Sequence, residues 1–374
     1  MSARPDVIVV GAGVVGAACA AALAEDGLAV HVLDAGFAGC GATAEGMGHV
    51  VVMDDSDAQF ALTSYSLGLL EHHRDELPAD CEYDACGTLW LAENDAQMAA
   101  VEAKRAYYGE RGVASELLDA AGVARAEPEL VPLAGALRVP GDRVVYPPAL
   151  ARWLLSRAMA RGARLFEGAR VLEIERGRVR VTDGVREADV VINAAGIAAP
   201  ALTPGLPIVP RRGHLVITDR VPGFCRHQLV ELGYLTSAHG MTSESVAFNL
   251  QPRRTGQMLI GSSRELAGPD PAMNRRILRR MLERAFTFVP RLARLPAIRI
   301  WTGFRPATPD KLPLIGPAPE QAGVWIAAGH EGLGITTALG TARVLADLMA
   351  GRTPAIDAAP YSAARGGAFA ESHA

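Results

Sequence analysis

Residues 7–34 read VIVVGAGVVGAACAAALAEDGLAVHVLD, and the fold turns on this stretch. Val7-Ile8-Val9-Val10 is a short β-branched run, the pattern of a parallel strand covered on both faces. Gly11 to Gly16 (GAGVVG) fits GxGxxG. An Ala-rich helix runs on to Glu25, Gly27 stops it, and Ala29 to Leu33 form a second strand ending at Asp34. Strand, glycine turn, helix, strand, acid is the order of a dinucleotide-binding unit. The first glycine permits the tight turn, the second lets backbone approach a pyrophosphate, and the third lets the helix sit close to the strand. The helix N-terminus then favours the negative phosphates. Asp34 falls where a carboxylate accepts hydrogen bonds from an adenosine ribose, and its charge repels a 2′-phosphate, which disfavours NADP. The structural alternative is a Gly-rich buried helix packed tightly on a sheet.

The same stretch bears on the membrane question. Val7 to Ala24 holds 18 residues without a charged side chain, long enough for a transmembrane helix or signal peptide. Gly11, Gly13 and Gly16 interrupt it, and the flank with Arg4 and Asp6 is neutral, so a buried strand and a helix describe it better. The whole chain of 374 residues has room for two or three domains; it is 49% apolar and 21% charged, as a globular protein with a sizeable core is. A formal charge of −4 gives no reason to expect nucleic acid or an anionic membrane surface. Five cysteines (Cys19, Cys40, Cys81, Cys86, Cys225) lack metal-ligand spacing, so no metal site or disulfide framework is expected, and a reducing, cytoplasmic compartment is. Lys104 and Lys311 are the only lysines.

Further along, 58–77 and 95–112 have helical patterns, Gly87 to Ala92 reads as a strand, and Leu137 to Tyr146 looks like a hairpin around Pro140-Gly141-Asp142. A helix starts at Pro147-Pro148, short strands occupy 165–193, and 211–262 alternates as antiparallel strands do. Residues 272–289 form a basic amphipathic helix. Arg299 to Phe304 and Val324 to Ala328 are strands, and a Gly-rich turn leads into a helix from Ile335 to Ala350.

Two C-terminal segments can carry chemistry. WTGFRPATPDKLPLIGP (301–317) sets Arg305 at a bend, where its planar fork can grip a carboxylate; pairing to Asp310 is the structural alternative. GHEGLGITT (329–337) offers a second glycine-rich helix entry, apt for an anion or a carbonyl oxygen gaining charge, or else simply packed on the sheet.

These segments together resemble the FAD-dependent D-amino-acid oxidase, glycine oxidase and sarcosine oxidase superfamily. The resemblance rests on GAGVVG with Asp34, GATAEGMG (41–48), Gly162 through Ile174, NAAG (193–196), GFRPATPDKLPLIG (303–316) and GHEGLGITT, in the family's order. GHEGLGIT and GMGHVVVMDDS (46–56) are most similar to the flavin (beta) subunits of D-hydroxyproline dehydrogenase, opine oxidase and dye-linked proline dehydrogenases. The resemblance implies Gly11, Gly13, Val15 and Gly16 on the FAD pyrophosphate, with Asp34 and Ala35 on the adenosine. It sets Thr43, Ala44, Gly46 and Met47 at the flavin end, Val171 at the adenine, and Ala194-Ala195-Gly196 beside the pyrophosphate. Gly332, Leu333, Gly334, Ile335 and Thr336 approach the pyrimidine edge of the flavin. Arg305 holds a substrate carboxylate, and His330 joins it as a catalytic candidate with helix capping as its alternative. Many relatives carry Glu at the ribose position, where Asp34 is one methylene shorter. The cysteine that anchors flavin in sarcosine oxidases has no counterpart near residue 330, so the FAD is expected to be non-covalent.

The resemblance thus implies an α/β fold: a Rossmann-like FAD-binding domain with a mainly parallel sheet (1–80, 141–205 and 301–374) and a largely antiparallel substrate domain (81–140 and 206–300). It implies oxidation of an amino-acid C–N bond, D-configured or secondary, to an imine by hydride transfer to flavin, with cis-4-hydroxy-D-proline as the substrate. No lysine lies between Lys104 and Lys311 to sit over the flavin, so electrons are expected to pass to an iron–sulfur or second-flavin partner subunit rather than to O₂. An oxygen-using oxidase and a flavin-carrying electron-transfer subunit remain alternatives. His49, His214, Tyr234, His239 and Trp301 are pocket candidates with core or loop roles as alternatives. The Arg275–Arg284 face is either solvated or a docking surface, and Asp54-Asp55-Ser56-Asp57 is read as a solvated turn.

Overall fold

The computed structural model describes residues 4–233 and 244–365. The uncharged N-terminal stretch divides at its glycines into the strand Val7–Val10 and the helix Val14–Glu25. That strand lies inside a six-stranded sheet ordered Leu314–Pro317, Val324–Ala328, Val190–Asn193, Val7–Val10, Val30–Leu33, Arg164–Phe166. Neighbours run parallel except at the Leu314–Pro317 edge, which is antiparallel. Both faces are covered, which explains why Val7 to Val10 are apolar without alternation. Helices Val14–Glu25, Pro147–Ala160 and Gly334–Met349 share one core with one face, through residues such as Val9, Leu23, Leu150 and Leu345. A small antiparallel sheet (Val171–Glu175, Arg178–Val181, Gly184–Glu187) packs on the other through Ile8, Val191, Ile174 and Val179.

The second sheet has eight strands, in the order Ala297–Ala307, Val209–Thr218, Met258–Glu265, Glu244–Pro252, Gln228–Glu231, Thr88–Ala92, Gly135–Val139, Glu116–Asp119. It is antiparallel apart from the pair Gln228–Glu231 and Thr88–Ala92. The basic helix Arg275–Phe288 lies on it, burying Ile277, Met281 and Phe288, and Phe288 stacks on Phe248 at 4.5 Å between ring centroids. The fold is the mixed α/β architecture expected from the sequence.

Three local expectations change. Leu137 to Tyr146 is not a hairpin: Gly135–Val139 joins the large sheet, whereas Arg143–Val144 pairs with His49–Val50. Asp142 between them is buried and accepts from Val52 N at 3.2 Å, which ties the two arms to different layers. The strand 299–304 extends to Ala297–Ala307 and lies wholly in the large sheet, so the chain returns to the first sheet after Ala307, not at residue 301. The strand Leu314–Pro317 lay hidden in a proline-rich stretch that reads as loop.

Candidate active site

A long cleft runs between the two sheets, and both glycine-rich turns line it. At one end the turn after Val7–Val10 is built by close approach. A Cβ on Gly16 would sit 1.9 Å from Gly11 O, and one on Gly11, at φ +109°, 2.5 Å from Ala194 O. Helix, turn and the Ala194-Ala195-Gly196 segment therefore touch backbone to backbone, which only glycine allows. Gly11, Gly13 and Val15 face the cleft; Gly16 lies beneath it. Asp34 also lines the cleft, and its carboxylate accepts from Ala12 N at 2.6 Å and Gly36 N at 2.7 Å. The acid is thus oriented by the turn itself. Ala35, Val171, Ala194, Ala195 and Gly196 line the same end, and so do Arg170 and Ile197, which sequence reasoning missed.

The other end is formed by 41–49 and 330–335. Gly46, Met47 and Thr43 line it, whereas Ala44 does not. Thr43 Oγ1 accepts from Val14 N at 3.0 Å, which locks this loop to the first turn of the N-terminal helix. Gly332, Gly334 and Ile335 line the cleft, and Leu333 turns into a side cavity. Thr336 lies behind, donating to His49 O at 2.8 Å. His330 lines the cleft yet is 4% exposed, with Nε2 3.0 Å from Thr341 Oγ1. Burial pushes its pKa down to about 3, so it is neutral and supplies no positive charge. His49, at the junction of cleft and cavity, is pushed down to about 3 for the same reason.

Arg305 stands in the wall of the cleft and donates from Nη1 to Ser263 O at 3.0 Å. Its guanidinium lies flat on Gly213: a Cβ there would meet Nη1 at 2.4 Å. Asp310, the alternative partner, is taken by Arg365 instead. Next to Arg305 is Glu331, whose φ of +49° turns a non-glycine residue into the left-handed region. Its Oε1 lies 3.4 Å from Arg264 Nε and 3.7 Å from Arg211 Nη1. Beyond Glu331 opens a side cavity of about 80 Å³, walled by Asp55, Gln59, Trp90, Gln228, Asn249, Arg264, Lys311 and others. Lys311, at φ +63°, is carried to this wall by the proline-rich loop, so a lysine does reach the site from a direction the sequence did not indicate. Arg264 and Asn249 sit on alternating strands. Arg264 is only 5% exposed, a property that the sequence alone does not carry.

Other candidates fall elsewhere. His214 is fully buried; its ring bonds Ser263 Oγ at 2.9 Å and Asn274 N at 3.0 Å, capping the basic helix rather than lining the cleft. Trp301 Nε1 donates to Glu45 O at 3.2 Å and pins the 41–49 loop. Tyr234 and His239 lie outside the described residues. Asp54-Asp55-Ser56-Asp57 is not merely solvated: Ser56 caps the helix Asp57–His72, Asp54 pairs with buried Lys104, and Asp55 reaches the cavity. Arg276 and Arg280 of the basic helix pair with Glu244, and Arg284 with Glu93 and Glu231, so this face is balanced by acids. Of the five free cysteines Cys40 lines the cleft, beside Asp34 at the nucleoside end. Among the described residues no cluster suits a metal, and no helix is long and apolar enough to cross a membrane.

Comparison with known proteins gives the family. Residues 6–348 match the family described as FAD dependent oxidoreductase (DAO). A glycine oxidase of Pseudomonas aeruginosa is 30% identical over 96% of this chain and 98% of its own length. A D-amino acid dehydrogenase of Granulibacter bethesdensis is 32% identical over 81% of this chain and 73% of its own. The crystal structure of glycine oxidase from Geobacillus kaustophilus superposes with a TM-score of 0.86 at 27% identity, covering 96% of this chain and 98% of that one. The chain belongs to the FAD-dependent oxidoreductase family, and FAD is its cofactor. The cleft fits that group: two backbone cradles that a Cβ would fill, an oriented acid at one end, and a glycine-rich helix entry at the other.

Proposed function

We propose that this FAD-dependent oxidoreductase removes two electrons from the C–N bond of an amino acid, D-configured or secondary, giving an imine, with cis-4-hydroxy-D-proline as the substrate. Arg305 carries the proposal. Its fork stands in the cleft wall beside Gly332, held by Ser263 O and backed by Gly213, so it can take a carboxylate in one orientation. The names of the relatives, glycine oxidase and D-amino acid dehydrogenase, favour an amino acid. The hydroxyproline identity draws on the resemblance of GHEGLGIT and GMGHVVVMDDS alone.

In this reading Gly11, Gly13, Val15, Ala194, Ala195 and Gly196 hold the pyrophosphate, with Gly16 closing the turn beneath. Asp34, Ala35 and Val171 hold the adenosine. Thr43, Gly46, Met47, Gly332, Gly334 and Ile335 form the flavin end, non-covalently, with Thr336 behind them, Leu333 turned into the side cavity and Ala44 off the cleft. FAD, when bound, supplies the two-electron acceptor. Arg305 fixes the substrate by its carboxylate, so that the Cα–H is presented in one direction. The helix Gly334–Met349 starts at the flavin end, and its N-terminal N–H groups favour negative charge there. Neutral His330 orients the 329–335 turn through Thr341 and does no acid–base work.

The electron acceptor is a partner protein in the reducing cytoplasm, as the resemblance implies. A second reading, an oxygen-using oxidase, is favoured by the names of the glycine oxidase relatives; Arg264 and Lys311 reach the cavity wall but share it with Asp55 and Glu331. Anaerobic titration with D-amino acids, prolines and opines, following flavin absorbance, tests the reaction. Arg305→Ala should lose about 1.5–3 kcal/mol, a roughly tenfold to hundredfold drop in the rate of bleaching at limiting substrate, with FAD content kept. Mixing the reduced protein with air-saturated buffer and then with a dye separates the acceptors. Reoxidation by O₂ as fast as turnover would overturn the partner reading.

A further inference from the structure

We propose that the side cavity beyond Glu331 is a side-chain receptor that selects substrates bearing an uncharged hydroxyl group and rejects their apolar counterparts. The inference rests on Arg305 as the carboxylate anchor, and it assigns residues that no part of the reaction otherwise uses.

The first ground is where unsatisfied polar atoms collect. Among the described residues fourteen buried side-chain atoms have no hydrogen-bond partner within the protein. Six belong to residues lining this cavity, His49 Nε2, Gln59 Oε1, Trp90 Nε1, Gln228 Oε1, Asn249 Oδ1 and Glu331 Oε2; Gln59, Trp90 and Gln228 line it alone, and His49, Asn249 and Glu331 stand where it meets the cleft. Gln59, Trp90, Gln228 and Asn249 are at most 5% exposed. An orphaned buried polar group costs about 1–3 kcal/mol, so such a concentration in a wall points to a ligand group that completes it.

The second ground is the sign of what is missing. Four of the six orphans are oxygens, which accept; Trp90 Nε1 donates, and the uncharged His49 ring can do either. The wall therefore asks mainly for a donor that can also accept, which a hydroxyl is. Charge excludes the stronger ions. Arg264, Lys311, Asp55 and Glu331 all line the cavity, two of each sign, with Arg264 paired to Glu331, and Arg211 lies behind Glu331 outside the lining. A carboxylate or an ammonium entering here upsets that balance in a buried place, whereas a hydroxyl does not. At about 80 Å³ the space suits a short side chain or the far edge of a small ring.

The test uses the full-length FAD-loaded protein under anaerobic conditions with pairs differing by one hydroxyl: cis-4-hydroxy-D-proline against D-proline, and D-serine against D-alanine. D-aspartate probes the charged case, and pyrrole-2-carboxylate reports the anchor alone by perturbing the flavin spectrum. In the better pair the hydroxylated member should bleach the flavin, or displace pyrrole-2-carboxylate, about a hundredfold or more better, because a site built to bond a hydroxyl rejects the analogue lacking it. Gln59→Leu and Gln228→Leu, each checked for FAD content, should each cut that preference at least tenfold. Equal behaviour within both pairs, a preference for D-aspartate, or an undiminished preference in both leucine variants would overturn the receptor while leaving the anchor intact. If Arg305→Ala binds pyrrole-2-carboxylate as well as the wild type does, the anchor itself fails, and the receptor with it.

Discussion

Gly213→Ala moves Arg305 without removing it. The added Cβ would lie 2.4 Å from Arg305 Nη1, 3.1 Å from Cζ and 2.8 Å from Ser263 O, where ordinary contact begins near 3.4 Å. The guanidinium must therefore give way by about 1 Å (3.4 − 2.4), or the strands Val209–Thr218 and Met258–Glu265 must part. Gly213 is paired to Gly303 in the ladder on one side, whereas the pairing to Met258–Glu265 shifts register between Arg212 and Val216, so the Arg305 side chain yields and Ser263 O, its acceptor, shifts with it. A misplacement of about 1 Å in a positioning group costs about a hundredfold in rate. Overpacking of this kind costs about 1–3 kcal/mol of stability, which a domain of this size can absorb. The expected protein is folded and yellow, with a normal ratio of flavin to protein absorbance. Its anaerobic reduction by substrate should be about a hundredfold slower at limiting concentration. Reduction within threefold of wild type would refute the placement of Arg305 at the reacting end. Loss of flavin would instead assign Gly213 and Arg305 to the cofactor cradle.

Three further outcomes are expected. Gly16→Ala forces a Cβ to 1.9 Å from Gly11 O, backbone against helix, and should yield colourless or poorly folded protein; a yellow Gly16→Ala of normal stability would contradict the turn geometry. Acid precipitation should release the flavin into the supernatant, because Cys40, the cysteine of the cleft, lies at the nucleoside end; colour retained in the pellet would show a covalent link. His330 has a pKa of about 3 when folded, against 6.5 unfolded, so below pH 6.5 the unfolded chain binds a proton that the folded chain does not. Its contribution is complete above about pH 6.5 and declines as the pH falls toward 3. Between pH 6.5 and 5 it should cost wild type about 2 kcal/mol that His330→Asn does not lose; equal urea-midpoint shifts in both proteins would refute a buried neutral His330.

The sequence by itself determined the nucleotide half of this protein. A turn such as Gly11 to Gly16 is local: its glycines, the β-branched strand before it and Asp34 after it lie within one continuous stretch, and their chemistry is set by spacing along the chain. The same holds for the second glycine-rich helix entry, whereas Arg305, expected at a bend, lies inside the strand Ala297–Ala307. Tertiary structure decided everything that depends on which side chains from distant strands share a space. Gln59, Gln228, Asn249, Arg264 and Lys311 come from five separate segments, a helix, three strands of the large sheet and a loop, and only their packing brings them to one cavity. It also decided protonation. His330 looks like a catalytic candidate and His49 like a pocket candidate in a string of letters, yet burial keeps both neutral, and burial is a property of what packs around a residue, not of its neighbours in sequence. Lys311 shows the same limit from the other side: a loop rich in proline gives no direction, and the side chain is found at the cavity only because the chain turns left-handed at that residue before the strand Leu314–Pro317.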